Sequence, residues 1–321
     1  MISAQLELPD ALSAQGDAQR LGDRVRSAVR DGEPVLFTGC GTSEHAARAA
    51  RAAHAMLKDV APGARSAARD AFEAQLDPPD CGLLVAISHG GRTRSTVLAA
   101  QRALAAGARV CFLTACPEHA PAGVDTCATP LRDRSWCHTI GYTSALLACA
   151  TLRADRAKTI MRAEIDARTR LREAAVRLRT CRRLLIVGSG IDEITASELA
   201  LKIEEAAHMP ATPLGAEKVL HGHLPACDEH TGIVLLRFDP RDDHRRDERT
   251  ADVANAAAVL SMPAVTLATP RLASRAEALL AGALALQLLT LELALAHATN
   301  PDLIRREDPL YRRAAEVAAV E

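Results

Sequence analysis

The chain is poor in aromatic side chains, with two Tyr, four Phe and one Trp in 321 residues, and its 39 basic and 40 acidic side chains nearly cancel. A nucleic-acid partner is bound by a cationic surface that displaces counterions and by rings on which bases stack. Both shortages exclude that class and point to a small molecule. Lysine is scarce, limited to Lys58, Lys158, Lys202 and Lys218, so chemistry that needs an amine has four candidates. The nine cysteines are scattered and odd in number, without a C-x-x-C pair. That pattern argues against a disulfide framework or a thiolate zinc site, and for buried reduced thiols in a cytoplasmic protein. Met1 to Gln5 lack the basic-then-apolar signature of a secretory signal. The one long apolar run, Ala278 to Ala298, carries Gln287, Glu292 and His297 and has no flanking anchors. It is expected to be a buried helix and not a membrane span.

What is present is a sequence of strand-to-helix turns. Leu84-Val-Ala-Ile87 is a short buried strand that runs directly into Ser88-His89-Gly90-Gly91-Arg92-Thr93 and then a helical pattern from Thr96 to Ala106. Glycines let backbone N–H groups turn towards an anion, Ser88 and Thr93 add hydroxyls, and the following helix contributes the positive end of its dipole. Upstream, a helix over residues 15 to 30 precedes the strand Val35-Leu36-Phe37. This strand leads through Thr38-Gly39-Cys40-Gly41-Thr42-Ser43-Glu44 into a helix ending near Lys58, with Thr42 or Ser43 as N-cap. Breaks at Pro62-Gly63 and Pro78-Pro79 precede the central turn, and further strands are expected at Arg109 to Thr114 and near Thr126 to Leu131. Beyond them, Ser135-Trp136-Cys137-His138-Thr139 heads an apolar helix. The order β-α-β-α-β, with glycine at the first two strand exits, predicts an α/β fold with a doubly wound parallel sheet.

The second half begins again. Leu184-Leu-Ile-Val187-Gly188-Ser189-Gly190 repeats the strand and G-x-G turn, and Gly232 to Leu236 corresponds to Gly82 to Ile87. Gly39 and Ser88 lie 49 positions apart, as do Gly188 and Arg237. Equal spacing of two strand pairs predicts a duplication into subdomains 1–155 and 156–321. The copies differ at the anion turn, which in the second is Arg237-Phe238-Asp239-Pro240-Arg241-Asp242, so one anion site is expected, in the first half. The charged run Arg237 to Arg249 is most simply a solvated loop. Between its strands the second copy carries a helix with Ala200, Leu201, Ile203 and Ala207 on an apolar side and Lys202 and Glu205 spaced i, i+3. A loop from Pro210 to Ala216 and then Glu217 to His223 follow. Two histidines, His221 and His223, without a suitably spaced third ligand do not suggest zinc.

Gly39-Cys40-Gly41-Thr42-Ser43, Ala86-Ile87-Ser88-His89-Gly90-Gly91-Arg92-Thr93, and Ala200 to Glu205 through Leu220-His221-Gly222 together resemble the SIS (sugar isomerase) family. The resemblance is to the tandem-SIS isomerase module of glucosamine-6-phosphate synthase and related phosphosugar isomerases and deaminases, and it covers nearly the whole chain. It implies two flavodoxin-like subdomains, no cofactor or metal, and a homodimer sharing its active site. Ser88, His89, Gly90 and Thr93, with Gly41, Thr42 and Ser43, would hold the phosphate and sugar hydroxyls. Glu205 would shuttle a proton between C1 and C2, with Lys202 beside it. His221 would be the ring-opening histidine that relatives supply from the partner subunit. Burial would raise the pKa of Glu205 and Lys202 would oppose that.

Several positions depart from the family pattern. Gly90 stands where relatives have a second serine, and Arg92 where a glutamate is common. Trp136-Cys137-His138-Thr139-Ile140 replaces Val-Ala-Ser-Thr-Lys, which makes His138 and Thr139 candidates to face the sugar. A Cys137–His138 nucleophile is disfavoured because adjacent side chains seldom point at each other. Asn300 to Pro309 contains no counterpart of the lysine that forms a Schiff base in the synthase, and a complete glutamine-dependent synthase with its cysteine-led glutaminase domain is not expected. The expected function is that of a cytoplasmic sugar-phosphate isomerase or amino-sugar-phosphate isomerase/deaminase. The alternative is a non-catalytic sugar-phosphate sensor, which in transcription regulators is joined to a helix-turn-helix. The stretch before the first strand, roughly thirty residues without basic excess, is too short for one.

Overall fold

A computed structural model of the chain describes residues 1–54, 65–150, 152–241 and 244–318. Lys58, Pro62, Gly63 and Asp242, named above, lie outside the described residues. The chain forms two compact units, Ser3–Asp133 with His138–Thr159, and Arg134–Cys137 with Ile160–Glu321. The exchange of the short segment Arg134–Cys137 into the second unit has no counterpart in the sequence-based division.

The first unit contains α1 (Leu8–Gln15), α2 (Asp17–Arg30), β1 (Val35–Gly39), α3 (Thr42–His54), β2 (Ser66–Asp70), α4 (Ala71–Leu76), β3 (Leu83–Ile87), α5 (Arg94–Ala106), β4 (Arg109–Thr114), β5 (Asp125–Ala128) and α6 (Ile140–Cys149), and α7 (Ala154–Asp166) continues into the second. The sheet is wholly parallel in the order β2-β1-β3-β4-β5. Every residue of β1 and β3 is buried, because helices cover both faces of such a sheet and its central strands read as unbroken apolar runs. On one face Leu84, Ala86, Val110 and Phe112 pack on Ala99, Ala100 and Ala103 of α5.

The second unit contains α8 (Arg168–Leu178), β6 (Arg183–Val187), α9 (Asp192–Ala207), β7 (Ala211–Leu214), α10 (Ala216–Lys218), β8 (Thr231–Arg237), α11 (His244–Val259), β9 (Ala264–Ala268), α12 (Arg275–Ala296) and α13 (Pro309–Val317). Its parallel sheet runs β7-β6-β8-β9, the same order one strand short. Leu185, Val187, Ile233 and Leu235 pack on Val253 and Ala257 of α11. Helix α12 is long and apolar enough to cross a membrane, but 89% of its apolar stretch is buried inside the protein. It packs against α8 and α9 as a core helix. Its start is fixed by Ser274, whose Oγ accepts from the Glu277 N–H, while Glu277 accepts from the Ala273 N–H.

The segment Pro210 to Ala216, expected as a loop, holds strand β7, and β2 and the charged run after β8 also depart from expectation. β2 (SAARD) and β7 (ATPL) are sheet edges without an apolar run, and Pro213 is tolerated in β7 because an edge strand leaves one side unpaired. The charged run after β8 is not a solvated loop throughout, since residues from His244 onwards are helical and the Asp239 side chain is fully buried.

The duplication is visible atom by atom. A Cβ on Gly39 would lie 2.6 Å from the backbone of Ser43, and one on Gly188 2.4 Å from the backbone of Asp192. Gly41 and Gly190, two residues further on, both have left-handed backbones, with φ of +53° and +67°. Each strand exit therefore turns so tightly that the next helix starts against its own glycine. Gly39→Ala and Gly188→Ala are expected to destabilise by about 1–3 kcal/mol or more in urea unfolding. Gly90→Ala, whose Cβ would meet nothing within 4 Å, should stay within about 0.5 kcal/mol of the wild type.

Candidate functional site

Strand β1 connects outward to β2, and the chain then crosses to β3 on the other side. The exits of β1 and β3 are therefore neighbours at the point where the strand order reverses, which is where open α/β sheets bind ligands. At the first exit the Ser43 N–H donates to the Cys40 carbonyl, Thr42 is buried, and Cys40 Sγ lies 3.7 Å from Thr96 Oγ1 of α5.

The second exit is anchored from behind. The His89 carbonyl accepts from the Ala115 N–H and the Thr114 hydroxyl, and the Gly90 carbonyl lies 2.9 Å from His119 Nδ1. Gly91, at φ +74°, lies so close that a Cβ would be 2.9 Å from His119 Cβ. Among the described residues, the backbone N–H groups of Gly90, Arg92 and Thr93 have no carbonyl partner. The buried Ser88 hydroxyl donates to Thr93 Oγ1 at 3.2 Å, and α5 begins one residue later. Unpaired amides, two hydroxyls and a 13-residue helix N-terminus make an anion cradle.

His119 had no signal in the sequence. Arg92 Nη2 lies 2.7 Å from its Nε2. A guanidinium can only donate and a carbonyl only accept. The imidazole therefore accepts from Arg92 at Nε2 and donates from Nδ1 to Gly90, tying the arginine to the loop. Cys116, Glu118 and His119 bring potential ligand atoms within 4.8 Å of one another. However, Arg92 contacts His119 and Arg132 contacts Glu118, which places two cations where a metal ion would sit.

His89 is held beside this cradle. Its Nε2 accepts from the Asp133 N–H at 2.8 Å, its ring centroid is 5.3 Å from that of His138, and a Cβ on Gly141 would lie 3.0 Å from its Cγ. Burial, with help from His138, pushes its pKa down to about 4, so the ring is neutral. Asp133, also missed in the sequence, accepts from the Thr139 and Gly141 N–H groups and so caps α6. These contacts bring Ser88 together with Thr93, and His89 with His138 and Thr139.

In the second unit, Lys202 and Glu205 meet inside the protein and not in a surface ion pair. Lys202 is 1% exposed, with Nζ 2.5 Å from Glu205 Oε2 and 3.8 Å from Glu198 Oε1. Burial disfavours the ammonium, but the two carboxylates outweigh it and hold the pKa at about 12. Glu205 is raised by burial while Lys202 pulls it down. Its side chain is 21% exposed, so it is the outer carboxylate of the cluster, whereas Glu198 is sealed. Burial pushes the Cys137 thiol up to about 12, so it is no thiolate nucleophile. His221 lies on an exposed turn, 3.1 Å from Glu217, and touches neither Lys202 nor Glu205.

Among the described residues, the second unit's own strand exits are closed by a side chain. Asp192, at the position of Ser43, is buried, and its Oδ2 accepts from the Phe238 and Asp239 N–H groups at the end of β8. Asp239 in turn takes Arg241 and Arg246. An internal carboxylate fills the place where the first unit offers amides.

The SIS domain family model matches residues 29–128 and 177–264. Glutamine–fructose-6-phosphate aminotransferase (isomerizing) of Pyrococcus horikoshii is 27% identical over 244 residues, covering 68% of this chain and 39% of that protein. The Saccharomyces cerevisiae protein of the same name is 26% identical over 242 residues, covering 67% and 33%. The chain thus spans about two fifths or less of the length of the curated relatives it matches. Among solved structures, the C-terminal domain of glucosamine-fructose-6-phosphate aminotransferase from Francisella tularensis superposes with a TM-score of 0.76 at 16% identity, covering 93% and 96% of the two chains. Tagatose-6-phosphate ketose/aldose isomerase from Escherichia coli gives 0.69 at 18% identity, covering 94% of each. At these identities the structures establish a shared fold.

Two outcomes are expected of the site's charges. The folded pKa of His89, about 4, is below its ordinary 6.5, and His54 is shifted alike. The unfolded chain then binds more protons between those values, so stability is fully present above pH 6.5 and is lost as pH falls towards 4. Melting temperature should fall over that window, and less steeply in His89→Gln; parallel curves would count against the assignment. Lys202→Met leaves two carboxylates unpaired and should cost about 3–5 kcal/mol in denaturant titration.

Proposed function

Since the chain belongs to the SIS domain family, we propose that it is a sugar-phosphate isomerase. Its substrate would be a hexose or amino-hexose 6-phosphate, its reaction aldose–ketose proton transfer, with amination or deamination as a variant. The observation that carries the reading is the buried Lys202–Glu205 pair. Moving a proton between adjacent carbons needs a carboxylate basic enough to accept it and acidic enough to return it. Burial makes Glu205 more basic, Lys202 keeps it ionised, and its partial exposure leaves it open to substrate.

The other roles follow from this. Ser88, Thr93 and the unpaired amides of Gly90, Arg92 and Thr93 hold the phosphate. Gly41, Thr42, Ser43, His89, His138 and Thr139 hold sugar hydroxyls, and His221 opens the ring. The exposure of His221, with Glu217 as its charged neighbour, supports a histidine donated across a homodimer. The two subdomains, taken as 1–155 and 156–321, divide the work into phosphate binding and proton transfer, in a cytoplasmic protein. The absence of lysine between Asn300 and Pro309 favours one competing reading, a sugar-phosphate sensor without turnover.

Deuterium uptake at C2 of glucose 6-phosphate and glucosamine 6-phosphate in heavy water separates the two. Exchange is expected in the wild type and should fall by about 10²-fold or more in Glu205→Gln. Undiminished exchange in the variant, or none by the wild type with any hexose phosphate, would overturn the isomerase. Tight binding without exchange would establish the sensor.

A further inference from the structure

His221 stands on an exposed turn, yet a chain of contacts holds its ring in place. Its Nε2 lies 3.1 Å from Oε2 of Glu217, four residues back. Glu217 is itself gripped at both oxygens, since Arg249 Nε donates to its Oε1 at 2.6 Å and Arg249 Nη2 to its Oε2 at 2.8 Å. Arg249 Nη1 in turn donates to Asp252 Oδ2 at 2.7 Å. Single surface ion pairs hold little, whereas a bidentate arginine within a network is the exception. The core beneath sets the spacing. Val219, between Glu217 and His221, is fully buried in one cluster with Val253 of α11, four residues after Arg249.

These contacts decide which ring nitrogen can work. Arg249, followed by His221, holds the Glu217 carboxyl below the usual carboxylate range. An ionised carboxylate only accepts hydrogen bonds, so His221 Nε2 carries hydrogen and the lone pair of the neutral ring is on Nδ1. We propose that Glu217 is the positioning residue for His221, locked in place by Arg249 and Asp252, and that Nδ1 is the nitrogen that opens the sugar ring. The proposal rests on His221 being the ring-opening group. In that step Nδ1 takes the proton of the C1 hydroxyl, and the electron pair of that O–H bond closes the C1=O double bond. The C1–O5 bond breaks with its pair on O5, which then receives the proton from Nδ1, so nothing is oxidised or consumed. Glu217 keeps the tautomer fixed and faces the imidazolium that exists between the two transfers.

The test is interconversion of the α and β anomers of glucose 6-phosphate, followed by NMR exchange spectroscopy. It requires ring opening but no proton transfer at C2. The wild type is expected to accelerate it, and Glu205→Gln should keep that acceleration while losing deuterium uptake at C2. Glu217→Ala should slow catalysed anomer exchange by about ten- to a hundredfold with little change in KM, and Arg249→Gln by a smaller factor. Neither change should have a further effect in a His221→Ala background, a coupling that general damage to the fold does not produce. Undiminished anomer exchange in Glu217→Ala, or equal losses with and without His221, would overturn the proposal. So would a wild type that exchanges C2 without accelerating anomer exchange, whereas a wild type that accelerates neither would overturn the isomerase reading. Long-range nitrogen–proton NMR correlations in alkaline buffer report the tautomer independently of turnover. His221, assigned by difference against His221→Ala, should be Nε2–H in the wild type and a mixture in Glu217→Ala. An Nδ1–H tautomer in the wild type would overturn the proposal.

Discussion

An ammonium sealed inside a protein has to bring its counter-charges with it, and the second unit is arranged around that requirement. Lys202 lies between Glu198 and Glu205 on one helix. One carboxylate is sealed and one reaches the surface, so three charged groups at i, i+4 and i, i+3 spacing hold one another at fixed distances. Buried charge clusters of this kind are weak contributors to stability and demanding in geometry. Their value lies in holding the outer carboxylate where a flexible surface glutamate would wander. The surrounding elements serve that end: α12 packs against α9, and the tail is bonded to its last turn.

The two halves show how a duplicated turn can be given two uses by one side chain. A tight strand-to-helix turn exposes backbone donors that must be satisfied. In the first unit the Gly90, Arg92 and Thr93 donors have no carbonyl partner among the described residues, on a loop whose carbonyls are tied back to residues 114–119. In the second, the residue four positions after the glycine is Asp192 in place of Ser43, and its carboxylate takes the amides of Phe238 and Asp239. Enclosure raises the Asp192 pKa to about 6, with those same amides holding it back from rising further.

Much of this was legible in the sequence, and the parts that were not share a cause. The central strands could be read because a sheet covered on both faces demands apolar runs, and the G-x-G turns because only glycine fits a strand exit with a helix start 2.4–2.6 Å from its Cβ. Lys202 and Glu205 could be placed side by side from helical spacing alone, but their burial could not, since it depends on α12 packing on α9. The edge strands β2 and β7 gave no apolar pattern because an edge has less to bury. His119, Asp133 and Asp192 went unread for a further reason. Each acts on a group 29, 44 or 46 positions away along the chain, through a contact that exists only once the sheets have formed.

The Asp192 carboxylate also changes how each half responds to its surroundings. A bound anion from solution comes and goes, and its occupancy follows the medium's concentration and ionic strength. A carboxylate built into the helix is present at fixed effective concentration and has no dissociated state short of unfolding. The turn of the second unit is therefore independent of anion levels, whereas the anion proposed for the first would follow them. Through this single side chain, one copy of the repeated motif closes on itself and the other keeps unpaired donors.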